Sequence, residues 1–205
     1  MKKIRKIIPL LCILGLSAYS QDIHSPFTGV VSIGTGISTV FDFQSGNNGA
    51  SIPLEIGIEA LKYVTSKSYI QIGFSFSTRG SRYYEKIDNG GIVSKSWYRL
   101  SLRYLDLKVS YNREIGTLKG MDTYFFVGLN NSYLLQQPTY SDLFEFEVSD
   151  FRDYNISGFI GARIMTSRRS SISCKINQSI ISVLDKSYSI VLPIELLISF
   201  SFRLL

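Results

Sequence analysis

The chain is poor in the residues that carry most enzymatic and metal chemistry. Its 205 residues include one histidine, His24, and two cysteines, Cys12 and Cys174. A Ser-His-Asp or Cys-His arrangement cannot be assembled around one histidine in a polar N-terminal segment, and a zinc site built from histidine and cysteine lacks ligands. We therefore expect no catalytic residues, no metal site and no cofactor, and we predict that the protein is not an enzyme.

The chain also lacks an apolar run of eighteen or more residues, so the sequence predicts no transmembrane helix. The apolar stretch Ile7–Leu16 follows a basic N terminus and precedes the small residues Ala18 and Ser20, as in a secretory signal peptide. We expect residues 1–20 to be cleaved. A membrane anchor is the alternative, but the run is too short to span. A lipoprotein acylated at Cys12 is a weaker alternative, because no small residue precedes this cysteine.

Basic residues are in modest excess, 22 Lys and Arg against 16 Asp and Glu. Four of the basic residues and none of the acidic ones lie in the expected signal peptide. This leaves 18 basic against 16 acidic residues in the mature part, a formal charge of +2. No clustered basic face with interleaved aromatics lies on a recognisable module, so we expect no nucleic-acid partner. Cys174 is the one cysteine left after cleavage, so no intramolecular disulfide is expected.

The sequence does contain alternation of apolar and polar residues, most clearly in Leu192–Leu205. Every even position of this stretch is apolar, whereas the odd positions include Glu195, Ser199, Ser201 and Arg203. Successive side chains of a strand point to opposite faces, so one face is apolar along its whole length. In a tilted barrel strand, seven such residues cover a height of about 30 Å, enough for the apolar band of an outer membrane.

Eight segments of this kind follow one another, separated by turn residues. They are Thr28–Phe43, Ile52–Leu61, Tyr69–Thr78, Trp97–Tyr111, Thr123–Leu135, Asp153–Met165, Ser171–Ser182 and Leu192–Leu205. An even strand number is typical of bacterial single-chain outer-membrane barrels. We predict an all-β fold, an eight-stranded antiparallel up-and-down transmembrane β-barrel over residues 28–205, preceded by a short periplasmic tail at 21–27.

The connections support this prediction in part. They are long after the first, third and fifth segments and short after the second and sixth, as expected when both termini are periplasmic. A short turn at Asp185–Ser187 breaks the rule. Leu100 and Leu102 stand in the opposite phase from the rest of their segment, which indicates a β-bulge or a strand top above the membrane. A soluble secreted lipocalin-like barrel, with its apolar face inward around an apolar ligand, has the same periodicity and remains an alternative.

Three segments resemble one known family. RYLDLKVSYN, Arg103–Asn112, resembles a strand of the outer-membrane β-barrel domain of PorT-like proteins, from which it departs at Val109. TYFFVGLNNSYLL, Thr123–Leu135, is similar to the next strand of that family, and SGFIGARI, Ser157–Ile164, to its glycine-spaced sixth strand. The resemblance covers residues 28–205. It implies an eight-stranded porin-family barrel of the Gram-negative outer membrane, mostly without an assigned activity; a role in secretion does not transfer.

Charged residues of both signs fall on the predicted inward face. They are Glu55, Glu59, Asp106, Lys108, Arg163, Lys175, Glu195 and Arg203. Because an unpaired buried charge is costly, we expect a structural ion-pair network that plugs the lumen and prevents conduction. Glu55 and Glu59 as a catalytic pair are much less favoured, and a narrow channel is the alternative to a plug. Arg79–Arg82 is expected to be the solvated start of a loop.

Exposed aromatic residues make the connections Arg79–Ser96 and Gln136–Arg152 candidates for recognition. The candidate contacts are Tyr83, Tyr84, Tyr140, Phe144 and Phe146. Loops on a rigid scaffold often carry binding residues, and aromatics suit protein contact. Strand extensions without a partner, or a secretion-associated component, are the alternatives. The expected partners are outer-membrane lipid, the barrel assembly machinery through the C-terminal strand, and an unknown envelope or extracellular protein.

Overall fold

In a computed structural model, the structure describes residues 27–42, 48–89, 92–136, 152–181 and 191–204. Within these residues nearly the whole chain is strand. The strands are β1 (Thr28–Asp42), β2 (Asn48–Ala50), β3 (Leu54–Thr65), β4 (Ser68–Asn89), β5 (Ile92–Leu118), β6 (Met121–Gln136), β7 (Tyr154–Met165), β8 (Ser170–Ser179) and β9 (Val191–Arg203). Among the described residues, no helix is long and apolar enough to cross a membrane.

All strands but the three-residue β2 form a closed antiparallel ring. Each pairs with its neighbours in the chain, and β1 closes the ring by pairing with β9 from Val30–Arg203 to Asp42–Val191. Short β2 lies outside the ring and pairs with β4. The described part of the chain is therefore an eight-stranded up-and-down β-barrel, as the alternation predicted.

The cross-strand register fixes the tilt of the strands. A line of direct partners leaves β1 at Thr28 and returns to β1 at Ser38, ten residues along the strand. The line passes through Leu61, Gln71, Ser110, Gly128, Phe159, Asn177 and Glu195. With strands about 4.8 Å apart and a rise of about 3.3 Å per residue, this shift requires a tilt of about 40°.

One connection differs from the sequence prediction. β4 and β5 pair without a register shift from Ser68–Arg113 to Asn89–Ile92, so the expected long loop at 79–96 is wrong and a strand hairpin takes its place. The stretch 79–96 has no run with an apolar residue at every second position, which is why the sequence did not mark it as strand. The predicted turn at Asp185–Ser187 lies outside the described residues. The three turns at one end, called the turn end, are short; the opposite end is called the loop end.

The anomalous phase near Leu102 has a simple origin. Leu102 is fully buried inside the barrel, as is Tyr104 two residues later, so β5 keeps its phase there. The register of β5 against β6 shifts between Arg103 and Tyr104, next to Leu102. A β-bulge was one of the two explanations expected from the sequence. Leu102 and Tyr104, together with Leu134, are buried inside the barrel toward the loop end.

The distribution of side chains is the reverse of that in a soluble barrel. Apolar residues on the outer wall are open, with Ile58 66% and Leu129 58% exposed, whereas Asp106 inside is 0% and Glu195 2% exposed. A soluble barrel buries its apolar face and exposes its polar face. An apolar wall around a polar interior instead matches a barrel that spans a membrane.

Candidate functional site

The middle of the lumen holds one carboxylate between two ammonium groups. Glu55 of β3 lies 2.7 Å from Nζ of Lys108 on β5 and 2.9 Å from Nζ of Lys175 on β8. Lys175 donates to both carboxylate oxygens. All three side chains are buried, and β3 and β8 stand on different sides of the ring, so this middle tier crosses the bore.

An upper tier lies nearer the loop end and has the opposite balance of charge. Arg79 of β4 lies 2.9 Å from Asp106 of β5 and 3.4 Å from Glu195 of β9. Its guanidinium also stacks 4.7 Å from the centroid of the Tyr104 ring. Asn177 donates to Glu195 at 2.5 Å. One arginine therefore pairs with two carboxylates from different strands, at full burial, and leaves this tier with one excess negative charge.

A lower tier near the turn end is linked through neutral groups. Arg163 of β7 donates from Nη1 to the Tyr69 hydroxyl at 2.8 Å and to Gln71 Oε1 at 2.7 Å, both on β4. Gln71 in turn donates from Nε2 to the carboxylate of Glu59. Tyr69 packs edge-on against Tyr124, with ring centroids 5.3 Å apart. The amide of Gln71 thus connects a cation and an anion that do not touch.

The three tiers together are electrically balanced. The middle tier carries two cations and one anion, the upper tier one cation and two anions, and the lower tier one of each. A polar interior with compensating charges is the arrangement in which buried ionised groups are tolerated. Arg203, at the turn-end rim, lies outside this balance and is half-buried, with Nη2 3.7 Å from the sulfur of Met165.

Aromatic rings fill the bore between the tiers. Phe126 and Phe159 meet edge-to-face at 6.1 Å, beneath Arg163 and Lys175 respectively. A cavity of about 30 Å³ lies beside them. Its lining includes charged side chains of the middle tier, Glu55, Lys108 and Lys175, as well as the two rings.

The structure places the eight predicted inward charges in the bore or at its rim, and adds one that the sequence analysis missed. Arg79, expected in a solvated loop, is 2% exposed and forms two ion pairs. Its outward neighbours, Thr78 and Gly80, are not apolar, so the alternation that marks a strand had already ended. The charge count gave no signal for Arg79, because the eight predicted inward residues already comprise four cations and four anions.

The predicted loop contacts are not brought together in the described residues. Tyr83 and Tyr84 belong to β4, not to a loop, and the register pairs them with Tyr98 and Trp97 of β5. Because the two strands of a hairpin pair with each other, they need no apolar face. The sequence alternation therefore did not mark Tyr83 and Tyr84 as strand residues, and they were predicted to lie in a loop. Tyr140, Phe144 and Phe146 lie outside the described residues.

Comparison with known proteins adds solved outer-membrane barrels of similar architecture. Neisserial surface protein A is 10% identical over 88% of this chain and 100% of its own, with a TM-score of 0.48. Ail, the attachment invasion locus protein of Yersinia pestis, is 11% identical over 88% and 100%, with a TM-score of 0.44. OprG from Pseudomonas aeruginosa is 12% identical over 89% and 99%, with a TM-score of 0.42.

No family model matches this chain, and no curated protein matches it either. The resemblance to PorT-like barrels therefore stays a prediction. At these identities and TM-scores the solved structures assign no activity to the chain, and its function has to be inferred from its own residues.

Proposed function

We propose that the protein is an integral outer-membrane β-barrel with a plugged, non-conducting lumen and a structural or binding role at its loop end. The observation that carries this is the three-tier lumen inside an apolar wall. Glu55 alone ties three strands of the ring to one another across the bore. Such a barrel places long loops outside the cell and short turns in the periplasm, so the turn end is assigned to the periplasm.

The test is cell fractionation combined with gel mobility. The mature protein should sediment with outer membranes, resist extraction without detergent, and migrate faster on a gel when unheated than when boiled, because the closed ladder survives detergent. Osmotic shock that releases the protein into the soluble periplasm would contradict the proposal and favour the soluble alternative.

A non-catalytic role is part of the same proposal. The buried carboxylates of the upper and middle tiers are all engaged with cations, which leaves none of them placed to act as a general base. Within the described residues, no group of three or more His, Cys, Asp or Glu side chains could hold a metal. Recognition of β9 by the assembly machinery also stays a prediction.

The binding role is proposed for the β4–β5 hairpin. β4 has 22 residues, all paired with β5, whereas about ten residues suffice to cross the apolar band at this tilt. About twelve residue pairs therefore rise beyond the band, a length of about 40 Å along the strands. A stiff ribbon of this length presents two strand edges and its aromatic positions well away from the membrane.

A truncation separates the hairpin from the barrel. Ser81 and Leu100 are direct partners, so residues 82–99 can be replaced by Asn-Gly, the preferred two-residue hairpin turn. The barrel should keep its heat-dependent mobility and lose its cross-linked surface partners. A variant with Tyr84→Ala and Trp97→Ala keeps the hairpin length and tests the aromatic positions alone. Unchanged partners in both variants would contradict a hairpin-borne site.

A further inference from the structure

Two carboxamide side chains lie on the outer wall among apolar residues. Asn131 of β6 and Gln178 of β8 are both exposed and point outward. Every outward neighbour of Asn131 is apolar or aromatic: Leu107, Leu129, Tyr133 and Ile156. Gln178 is likewise surrounded by Gly158, Ile176, Ile180 and Ile194.

Neither carboxamide has a hydrogen-bond partner among the described residues. Other polar groups of the outer wall do: Thr35 donates to the Pro53 carbonyl at 2.9 Å, and Thr78 accepts from the Leu54 amide at 2.8 Å. Hydrocarbon offers no partner to an amide, so leaving two of them unpaired is costly. Their placement therefore calls for a polar group supplied from outside the barrel.

The register shows how the two carboxamides are arranged. Asn131 pairs with Ile156, whereas Leu129, Gly158 and Gln178 form the row below. Gln178 is thus two strands away from Asn131 and two residues nearer the turn end. At a tilt of about 40° these two displacements cancel in height, leaving the residues level to about 1 Å and about 12 Å apart around the wall.

Because Asn131 and Gln178 lie at the same height, a second copy of the same barrel can offer a hydrogen-bond partner to both of them. Two copies inserted in the same direction are related by a two-fold axis parallel to the membrane normal. An axis passing between Asn131 and Gln178 brings Asn131 of each copy opposite Gln178 of the other, the reciprocal pattern of an isologous interface. Each carboxamide carries both donors and an acceptor, so the two types pair with each other.

The wall between them permits close approach. The midpoint falls on β7 between the outward residues Ile156 and Gly158, and Ala162 and Cys174 are direct partners further down the same wall. Small residues at membrane interfaces let backbones approach and strengthen van der Waals contact. A Cβ added at Gly158 would meet nothing nearer than Ile180 Cδ1 at 3.8 Å, so the notch is open to the outside, not filled from within.

We propose that the outer wall formed by β6, β7 and β8 is a lateral homodimer interface, in which Asn131 of each copy hydrogen-bonds Gln178 of the other across Gly158. This interface rests on the proposed membrane location of the barrel. A lipid headgroup or a different envelope protein could offer polar groups too, but neither has the two-fold symmetry that the level spacing matches.

Cysteine cross-linking of the full chain in outer membranes tests the pairing. In a background with Cys12→Ser and Cys174→Ser, copies carrying Asn131→Cys and copies carrying Gln178→Cys are expressed separately and together. A short bismaleimide that joins two thiols should give abundant cross-linked dimer in the mixture and little in either alone, because position 131 faces 178 and not itself. Equal cross-linking in all three samples, or none in the mixture, would overturn the interface.

Dimer affinity gives an independent measurement. Interhelical hydrogen bonds in membranes are worth roughly 0.6 kcal/mol each, so losing two pairs through Asn131→Leu and Gln178→Leu should weaken the dimer about sevenfold or more. Gly158→Phe should weaken it further by holding the walls apart. Ala60→Phe, an exposed position on β3 at the opposite side of the ring, is the matched control and should leave the dimer unchanged.

Heat-dependent mobility of every variant separates the two proposals. Variants that insert as folded barrels but give the same dimer affinity as the wild type overturn the interface and leave the membrane location intact. If Asn131→Leu and Gln178→Leu alter the lipid retained by a barrel that is monomeric throughout, the polar partner is lipid and the interface is overturned. A chain that never inserts overturns both.

Discussion

Glu55 shows how a single residue holds the lumen together. Two buried lysines from different strands contact its carboxylate. Both lysines therefore depend on the same anion, whereas the glutamate has two cations. A buried ion pair adds little net stability over an apolar pair, but removing one partner leaves an uncompensated charge. The cost of a substitution in this tier should therefore depend on which member is lost.

Glu55→Gln should destabilise the barrel by about 3 to 5 kcal/mol, because it leaves two lysines without an anion. Lys175→Met should cost less, about 1.5 to 3 kcal/mol, since it removes a charged hydrogen bond but leaves Glu55 paired with Lys108. Urea unfolding of both variants in phospholipid vesicles measures the difference. An equal or larger cost for Lys175→Met would show that Glu55 is not the shared member.

For single residues, the sequence could predict on which face of a strand a charged side chain lies, but not with which side chain it pairs. Glu55, Lys108 and Lys175 were expected inside because strand alternation assigns faces directly. Their convergence depends on the ten-residue shift around the ring, which brings β3 and β8 to a common height and which no local pattern encodes. Arg79 was missed because its sequence neighbours Thr78 and Gly80 are not apolar, so the alternation that marks a strand had ended before it.

In strands β6 and β7, an aromatic ring on each strand packs over a glycine of the other. Phe126 is the direct partner of Gly161, and Gly128 is the direct partner of Phe159. Each ring covers the opposite glycine, so a Cβ on Gly128 would meet the Phe159 ring and the Val109 carbonyl. These glycines make room for the aromatic side chains that fill the bore, unlike Gly158 on the outer face of the same pair.

Gly128→Ala should therefore destabilise the barrel by about 1 to 3 kcal/mol through overpacking. Gly158→Ala should be neutral or stabilise by up to about 1 kcal/mol, since a glycine restricts the unfolded chain least and the site has space. The two substitutions are chemically identical and lie on neighbouring sides of one strand pair. Unfolding both variants in the same vesicles checks the prediction. Similar losses of unfolding free energy would show that the Phe159 ring moves aside at little cost.

The elements also show where apolar alternation stops being informative. It located the eight barrel strands because a wall facing lipid must be apolar at every second position. It underestimated the lengths of β4 and β5, because the part of the hairpin beyond the apolar band does not need an apolar residue at every second position. The same limit caused Tyr83 and Tyr84 to be assigned to a loop, although the ladder continues past them to Asn89.

The molecule combines a narrow ring with three tiers of lumen side chains whose charges cancel among the described residues. Eight strands enclose an interior only wide enough for side chains. Here that interior is crossed at three heights by the tiers of Arg79, Glu55 and Arg163, with aromatic rings between them. Because each tier crosses the bore independently, the proposed plug does not depend on any one of them.

Planar-bilayer recordings of the refolded protein should therefore show no stepwise current. Arg79→Ala should also be silent, because the middle and lower tiers and the Phe126–Phe159 pair still block the path after the upper tier is lost. A wide porin reconstituted in the same way is the positive control, and retained heat-dependent mobility shows that each variant is a folded barrel. Steady conductance steps from the wild type would support the narrow-channel alternative. Steps from Arg79→Ala alone would identify this arginine as a gate and show that the two deeper tiers leave a continuous path for ions.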